Sequence, residues 1–276
     1  MNNRLLRLMG VAVFATTSMV EDVHSQLGVD NILVNEVGVS EKLGAKLPLD
    51  LRFRDQSGVS KPLAAYFDGE RPVVLTLNYA NCPQLCSLQL DGFVDTLNKL
   101  EDWQVGNQFQ VITISLDPQE TDEMAQRFRE RVLADYNAES AASGWHFLRG
   151  TEQDVRAIAD AVGFNYNYIE RKDEYAHTAV LTLLDPKAQV ARYLYGIEYP
   201  PSTLRLSMAE TASSKFVSTV DALILRCFSY DAASGTFVAN AWLITKVVMS
   251  LIAVLLIAFL AWLHFQSRDK STKPVA

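Results

Sequence analysis

Apolar positions in the middle of the chain alternate between short continuous runs and helical stripes. Val73-Val74-Leu75-Thr76-Leu77-Asn78-Tyr79 is nearly unbroken, the pattern of a strand buried on both faces. Beyond it Leu90, Phe93, Val94, Leu97 and Leu100 recur at helical period and predict one buried stripe. Pro83 suits the first turn of that helix, where its missing N–H would have had no partner. A strand over Phe109 to Ser115 and a helix from about Thr121 to Tyr136 follow. Trp145 to Leu148 reads as a short strand, and Val155, Ile158, Ala159 and Val162 keep helical period behind Thr151 and Asp154, which have capping-box spacing. Val180 to Leu184, a turn over Asp185 to Gln189, and Val190 to Tyr195 predict a hairpin. Pro200-Pro201-Ser202 then separates it from helical patterns over Ser202 to Ala212 and Phe216 to Phe228.

Strand, helix, strand, helix, then hairpin and helix is the order of a thioredoxin-like sheet, which sets the fold class as α/β. In that fold the loop before the first hairpin strand lies beside the N-terminus of the first helix. The ends of the chain add a membrane expectation. Residues 1–25 carry Arg4 and Arg7, an apolar stretch from Leu8 to Ala15, and small residues before Gln26, the look of a signal peptide or an N-terminal anchor. Val247 to Leu263 is uncharged, with Trp242 ahead of it and Trp262 at its far end, so residues 241–263 read as a C-terminal transmembrane helix and 264–276 as a short tail. Arg268, Lys270 and Lys273 outnumber Asp269 in that tail, which places it inside the cytoplasm and the domain on the periplasmic side of a bacterial membrane. A net charge of −7 gives no support for nucleic-acid binding.

The chemistry concentrates at Cys82-Pro83-Gln84-Leu85-Cys86, where the buried strand meets the helix. Two thiols four residues apart at a helix start are expected on one face, close enough to share a metal ion or to form a disulfide. The positive end of the helix is expected to lower one or both thiol pKa values. Of the chain's 4 histidines, His24 lies in the leader, His264 at the end of the span, and His146 in a short strand as a packed or surface residue. His177 stands immediately before the hairpin, where the predicted fold brings it to the two sulfurs. Asp117, before Pro118, reads as a turn former. Cys227, the third cysteine, reads as a packed residue on the last helical pattern.

Residues 44–230 resemble the SCO/SenC family of copper-binding cytochrome c oxidase assembly factors. The resemblance lies in the strand and Cys motif from Val73 to Cys86, in Thr113-Ile114-Ser115-Leu116-Asp117-Pro118, in Gly144-Trp145-His146-Phe147-Leu148, and in His177 before the hairpin. Ser87 stands where a proline is common, and the loop before His177 lacks the acidic-then-hydrophobic form of mitochondrial members. The resemblance implies that Cys82, Cys86 and His177 are copper ligands. It further implies a membrane-anchored chaperone for the binuclear copper centre of cytochrome c oxidase subunit II, served by a periplasmic copper donor or thiol reductant. Two thiolates and an imidazole suit Cu(I), and the imidazole also suits Cu(II). The alternative is a thiol-disulfide oxidoreductase using Cys82 and Cys86 as its redox pair without copper. The absence of proline from 165 to 185 argues against an ordinary thioredoxin.

Overall fold

A computed structural model of the chain describes residues 37–83, 85–212, 228–231, 236–239, 245–246 and 248–260. In chain order the strands are β1 (Gly38–Val39), β2 (Arg52–Arg54), β3 (Ser60–Pro62), β4 (Val73–Asn78), β5 (Gln110–Ser115), β6 (Trp145–Leu148), β7 (Phe164–Asn165), β8 (Asn167–Ile169), β9 (Glu174–Ala176), β10 (Val180–Leu184), β11 (Val190–Tyr195), β12 (Phe228–Asp231) and β13 (Thr236–Ala239). The helices are α1 (Leu85–Leu97) between β4 and β5, α2 (Asp122–Ala134) and α3 (Ala141–Gly144) before β6, α4 (Glu152–Ala161) before β7, and α5 (Pro201–Thr211) after β11.

Five strands form the central sheet in the order β11-β10-β4-β5-β6. β4, β5 and β6 run parallel, so each return to the sheet needs a crossover, which α1 and then α2 with α3 supply. β10 lies antiparallel to β4 and turns back into β11 through Asp185, whose Oδ1 accepts the Lys187 and Gln189 N–H groups at 2.8 Å each. Every residue of β4, β5 and β10 is buried, which explains their unbroken apolar runs. Alternation along each strand splits the core in two. Leu75, Leu77, Ile112 and Ile114 pack towards Val155 and Ile158 of α4. Val74, Val111, Leu181 and Leu183 pack towards Leu90, Phe93 and Leu97 of α1 and Leu204 and Met208 of α5.

Several predicted boundaries shift for local reasons. α1 starts at Leu85 and Pro83 lies in a bend before it, so Cys82 precedes the helix instead of sharing its face with Cys86. Thr121 and Thr151 cap α2 and α4, accepting the N–H groups of Met124 and Asp154 at 3.2 Å each. Leu100 lies beyond α1, in a tighter turn where its N–H donates to the Leu97 carbonyl, yet it is still buried in the same layer. The hairpin β8–β9, with Asp173 at φ 55 in its turn, has no counterpart in the sequence reading, nor does the pairing of β1 with β7.

Among the described residues no helix is long and apolar enough to cross a membrane. Residues 248–260, part of the expected span, are helical, and large apolar side chains there such as Leu251, Val254 and Ile257 are exposed. The remainder of 247–263, the leader over 1–25, the tail over 264–276, Cys227, His24 and His264 lie outside the described residues, as does most of the helical pattern over Phe216 to Phe228, whose last residue begins β12.

Candidate metal centre

The loop that leaves β4 is fixed before it reaches the first cysteine. The Ala80 N–H donates to Glu120 Oε2 at 2.9 Å, and the same oxygen accepts the Ser115 hydroxyl at 2.8 Å, so the loop is tied to the end of β5. Burial pushes the Glu120 carboxyl above the usual carboxylate range, against the hydrogen bonds from Ala80 and Ser115. The Cys82 N–H then closes a turn on the Tyr79 carbonyl at 3.3 Å. Cys82 Sγ in turn accepts the Cys86 N–H at 3.2 Å, doing for a first-turn amide of α1 what a capping oxygen does elsewhere.

His177 arrives from the other side. The β8–β9 hairpin ends one residue before it, and the Tyr175 N–H donates to the Tyr79 hydroxyl at 3.3 Å, which joins that hairpin to the end of β4. Tyr79 and Phe164 flank the imidazole, their ring centroids 6.2 and 6.0 Å from its own. His177 Nδ1 lies 3.1 Å from the Thr178 carbonyl oxygen, and Nε2 lies 3.2 Å from Cys86 Sγ. A carbonyl can only accept, so the hydrogen-bond network assigns the proton to Nδ1 and leaves the Nε2 lone pair facing the sulfurs. That is the tautomer a metal ligand needs, with its outer nitrogen already oriented.

The ligand atoms of Cys82, Cys86 and His177 all lie within 4.8 Å of one another, and the group can hold a metal ion. Neither cysteine is in a disulfide; Cys86 is buried and Cys82 half-buried. Cys82 and His177 open onto a groove of about 460 Å³ that Leu85, Glu174 and Tyr175 also line, which gives a partner access to one sulfur and the imidazole. Burial pushes the Cys86 thiol well above its usual range, the adjacent Cys82 sulfur adds to this, and hydrogen bonds from the Tyr79 backbone and the Asn78 side chain oppose it. The expected helix-driven lowering therefore does not hold at Cys86, because desolvation outweighs the dipole.

His146 stays away from this cluster, its ring 4.9 Å from that of Tyr66, with burial and the Lys61 and Arg71 charges pushing its pKa down to about 4. Asp117 forms a turn, accepting the Gln119 N–H at 2.8 Å. The sequence reading passed over Glu120, Tyr79 and the buried amides of Asn78 and Gln89. The one local signal was a glutamine on the apolar stripe that runs from Cys86 through Leu90 to Phe93.

A five-stranded α/β sheet with two cysteines and a histidine gathered at the start of its first helix defines a thioredoxin-like protein with a Cys₂His site. The SCO1/SenC family matches residues 51–212, well over half of the chain, and the chain belongs to that family. Among solved structures, a candidate electron transfer protein from Aquifex aeolicus VF5 is 25% identical with a TM-score of 0.54, over 61% of this chain and 93% of its own. A candidate electron transport protein from the same organism is 24% identical with a TM-score of 0.51, over 60% and 96%. ScoI of Arabidopsis thaliana, solved with copper bound, is 16% identical with a TM-score of 0.44, over 59% and 93%. No curated protein matches the chain.

Proposed function

We propose that this chain is a copper-binding assembly factor, anchored in the cytoplasmic membrane with its domain on the outer side, that helps build the binuclear copper centre of cytochrome c oxidase subunit II. The observation that carries the reading is the convergence of Cys82 Sγ, Cys86 Sγ and the bare Nε2 of His177 within 4.8 Å. Two thiolates and one imidazole are a soft donor set suited to copper, whereas a structural zinc site takes four protein ligands. Among the described residues the cluster offers three. A three-ligand site with one half-exposed sulfur also suits cargo that must leave again. The oxidase and its subunit II enter through the family, and the anchor through the apolar run from Val247 to Leu263 and the basic tail after it.

One observation favours a second reading, thiol-disulfide exchange. A half-buried Cys82 in hydrogen-bonding distance of the Cys86 amide, with a buried partner thiol behind it, is also the asymmetry of an attacking and a resolving cysteine. His177 separates the two, because it has no redox chemistry of its own. In a His177→Ala strain at limiting copper, the copper reading expects oxidase activity to fall while the purified protein still forms and reduces its Cys82–Cys86 disulfide. Normal oxidase activity, with copper binding lost in vitro, would promote the exchange reading. For the topology, a reporter active only outside the cytoplasm is expected to work when fused near Asn240, and one active only inside after Ala276. The reverse pattern would overturn the compartment and the oxidase assignment together.

A further inference from the structure

The three ligands ride on three separate pieces of backbone: the loop after β4, the first turn of α1, and the short link between β9 and β10. Hydrogen-bonded pairing of β10 with β4 runs only from Leu184 opposite Val73 to Thr182 opposite Leu75. Continued register would set Val180 opposite Leu77, yet the ladder has stopped there, at the end of the sheet where the site lies. A side chain of α1 spans the gap. Gln89 Oε1 accepts the Asn78 Nδ2 hydrogen at 3.1 Å, and Gln89 Nε2 donates to the Val180 carbonyl at 2.9 Å. Gln89 sits one turn after Cys86, Asn78 closes β4 four residues before Cys82, and Val180 is three residues beyond His177.

We propose that Gln89 is the positioning residue of the Cys₂His site, its single amide fixing the Cys86 sulfur against His177 by joining α1 to β4 and β10 at once. This rests on the copper reading for its purpose. The bridge is dry: Gln89 is 1% and Asn78 0% exposed, so no bulk water can replace either bond, and each is stronger for its surroundings. A polar residue on a buried helical stripe is costly unless partnered, and a leucine there would fill the same layer without joining the strands. The two bonds of the Gln89 amide go to Asn78 and Val180, neither of them a ligand, so it acts through the placement of the elements that bear the ligands.

The test compares the reduced full chain with Gln89→Met, which conserves volume and removes both bonds, and with Thr113→Val. Thr113 makes buried hydrogen bonds to Thr76 and Trp145 in the middle of the sheet, so its loss controls for weakened folding alone. Three quantities are read: copper affinity, the Cu(II)–thiolate absorption band, and the ¹⁵N NMR signals of the His177 ring without metal. Gln89→Met is expected to lose about tenfold in affinity, the low end of the loss that follows when the orientation of a metal ligand is loosened, and to shift the band and broaden or double the His177 signals. Thr113→Val is expected to lower Tm and leave all three unchanged. Wild-type values in Gln89→Met, or the same changes in Thr113→Val, would overturn the proposal. Should Gln89→Met not fold, Gln89→Asn, a methylene too short to reach both partners, takes its place under the same criteria. If the wild-type chain binds no copper, the copper reading fails by itself, and the His177 signals still decide the role of Gln89.

Discussion

At Cys86 the helix N-terminus favours a thiolate and burial opposes it, and burial prevails because the residue is 1% exposed. Metal binding at this residue must therefore displace a proton, and the site gains its soft donors only as that proton leaves. His146 shows the same force acting on a base. Its pKa is about 4 when folded and ordinarily 6.5, so the unfolded chain binds the extra proton between those values. Stability from the neutral ring is complete above pH 6.5 and falls as the pH drops towards 4, by roughly 2–3 kcal/mol for a partly buried group. Glu120, raised by burial, acts with the opposite sign in the acid range, so the difference between wild type and His146→Phe isolates the histidine. The Tm gap between the two proteins is expected to move in favour of His146→Phe as pH is lowered from 7 to 4.5. A gap independent of pH would show that His146 is not held neutral. At this scale the sequence displayed the donors, because cysteine and histidine declare their chemistry by type. Glu120 and Gln89 stayed hidden, since what they do depends on contacts 40 and 91 residues away along the chain, which no local pattern records.

The element that matters most to the site is α1, whose C-terminal half is held against the segment after β11. Thr96 Oγ1 donates to the Tyr199 carbonyl at 2.7 Å, and the Ile197 carbonyl comes so close to Gly92 that an added Cβ would lie 1.9 Å from it. Glycine inside a helix ordinarily costs about 1 kcal/mol against alanine, so Gly92→Ala would stabilise an isolated α1. Here the close backbone approach reverses the sign, and Gly92→Ala is expected to destabilise the protein by about 1–3 kcal/mol as overpacking does. A urea midpoint at or above the wild-type value would refute this packing of α1. The long elements were legible because their periods are strong: the strand over Trp145–Leu148 and the hairpin strands Val180–Leu184 and Val190–Tyr195 fall where the pattern sets them. β8 and β9 were not, since three-residue strands without a buried position, such as Asn167-Tyr168-Ile169, carry no apolar period. That hairpin is nonetheless what delivers His177.

Across the whole molecule, topology does the remaining work. Parallel strands β4 and β5 place their C-terminal ends side by side, and both contribute to the site, β4 through the Cys82 loop and β5 through Ser115 and Glu120. The antiparallel return of β10 then brings the link that precedes it to that same end of the sheet, which is why a histidine 91 residues from Cys86 meets it. The order of elements made this much foreseeable. The early end of the β10 ladder was not, because strand register is a property of the packed sheet and leaves no mark on either run alone. The central claim, that this end of the sheet holds copper through Cys82, Cys86 and His177, is tested most directly by metal content with X-ray absorption on the reduced full chain. One copper per chain is predicted, bound by two sulfurs and one imidazole nitrogen. Cys82→Ser or Cys86→Ser should largely abolish it, His177→Ala should weaken it with loss of the nitrogen signal, and Cys227→Ser should change it little. Copper retained in both Cys82→Ser and Cys86→Ser, or lost in Cys227→Ser, would contradict the account.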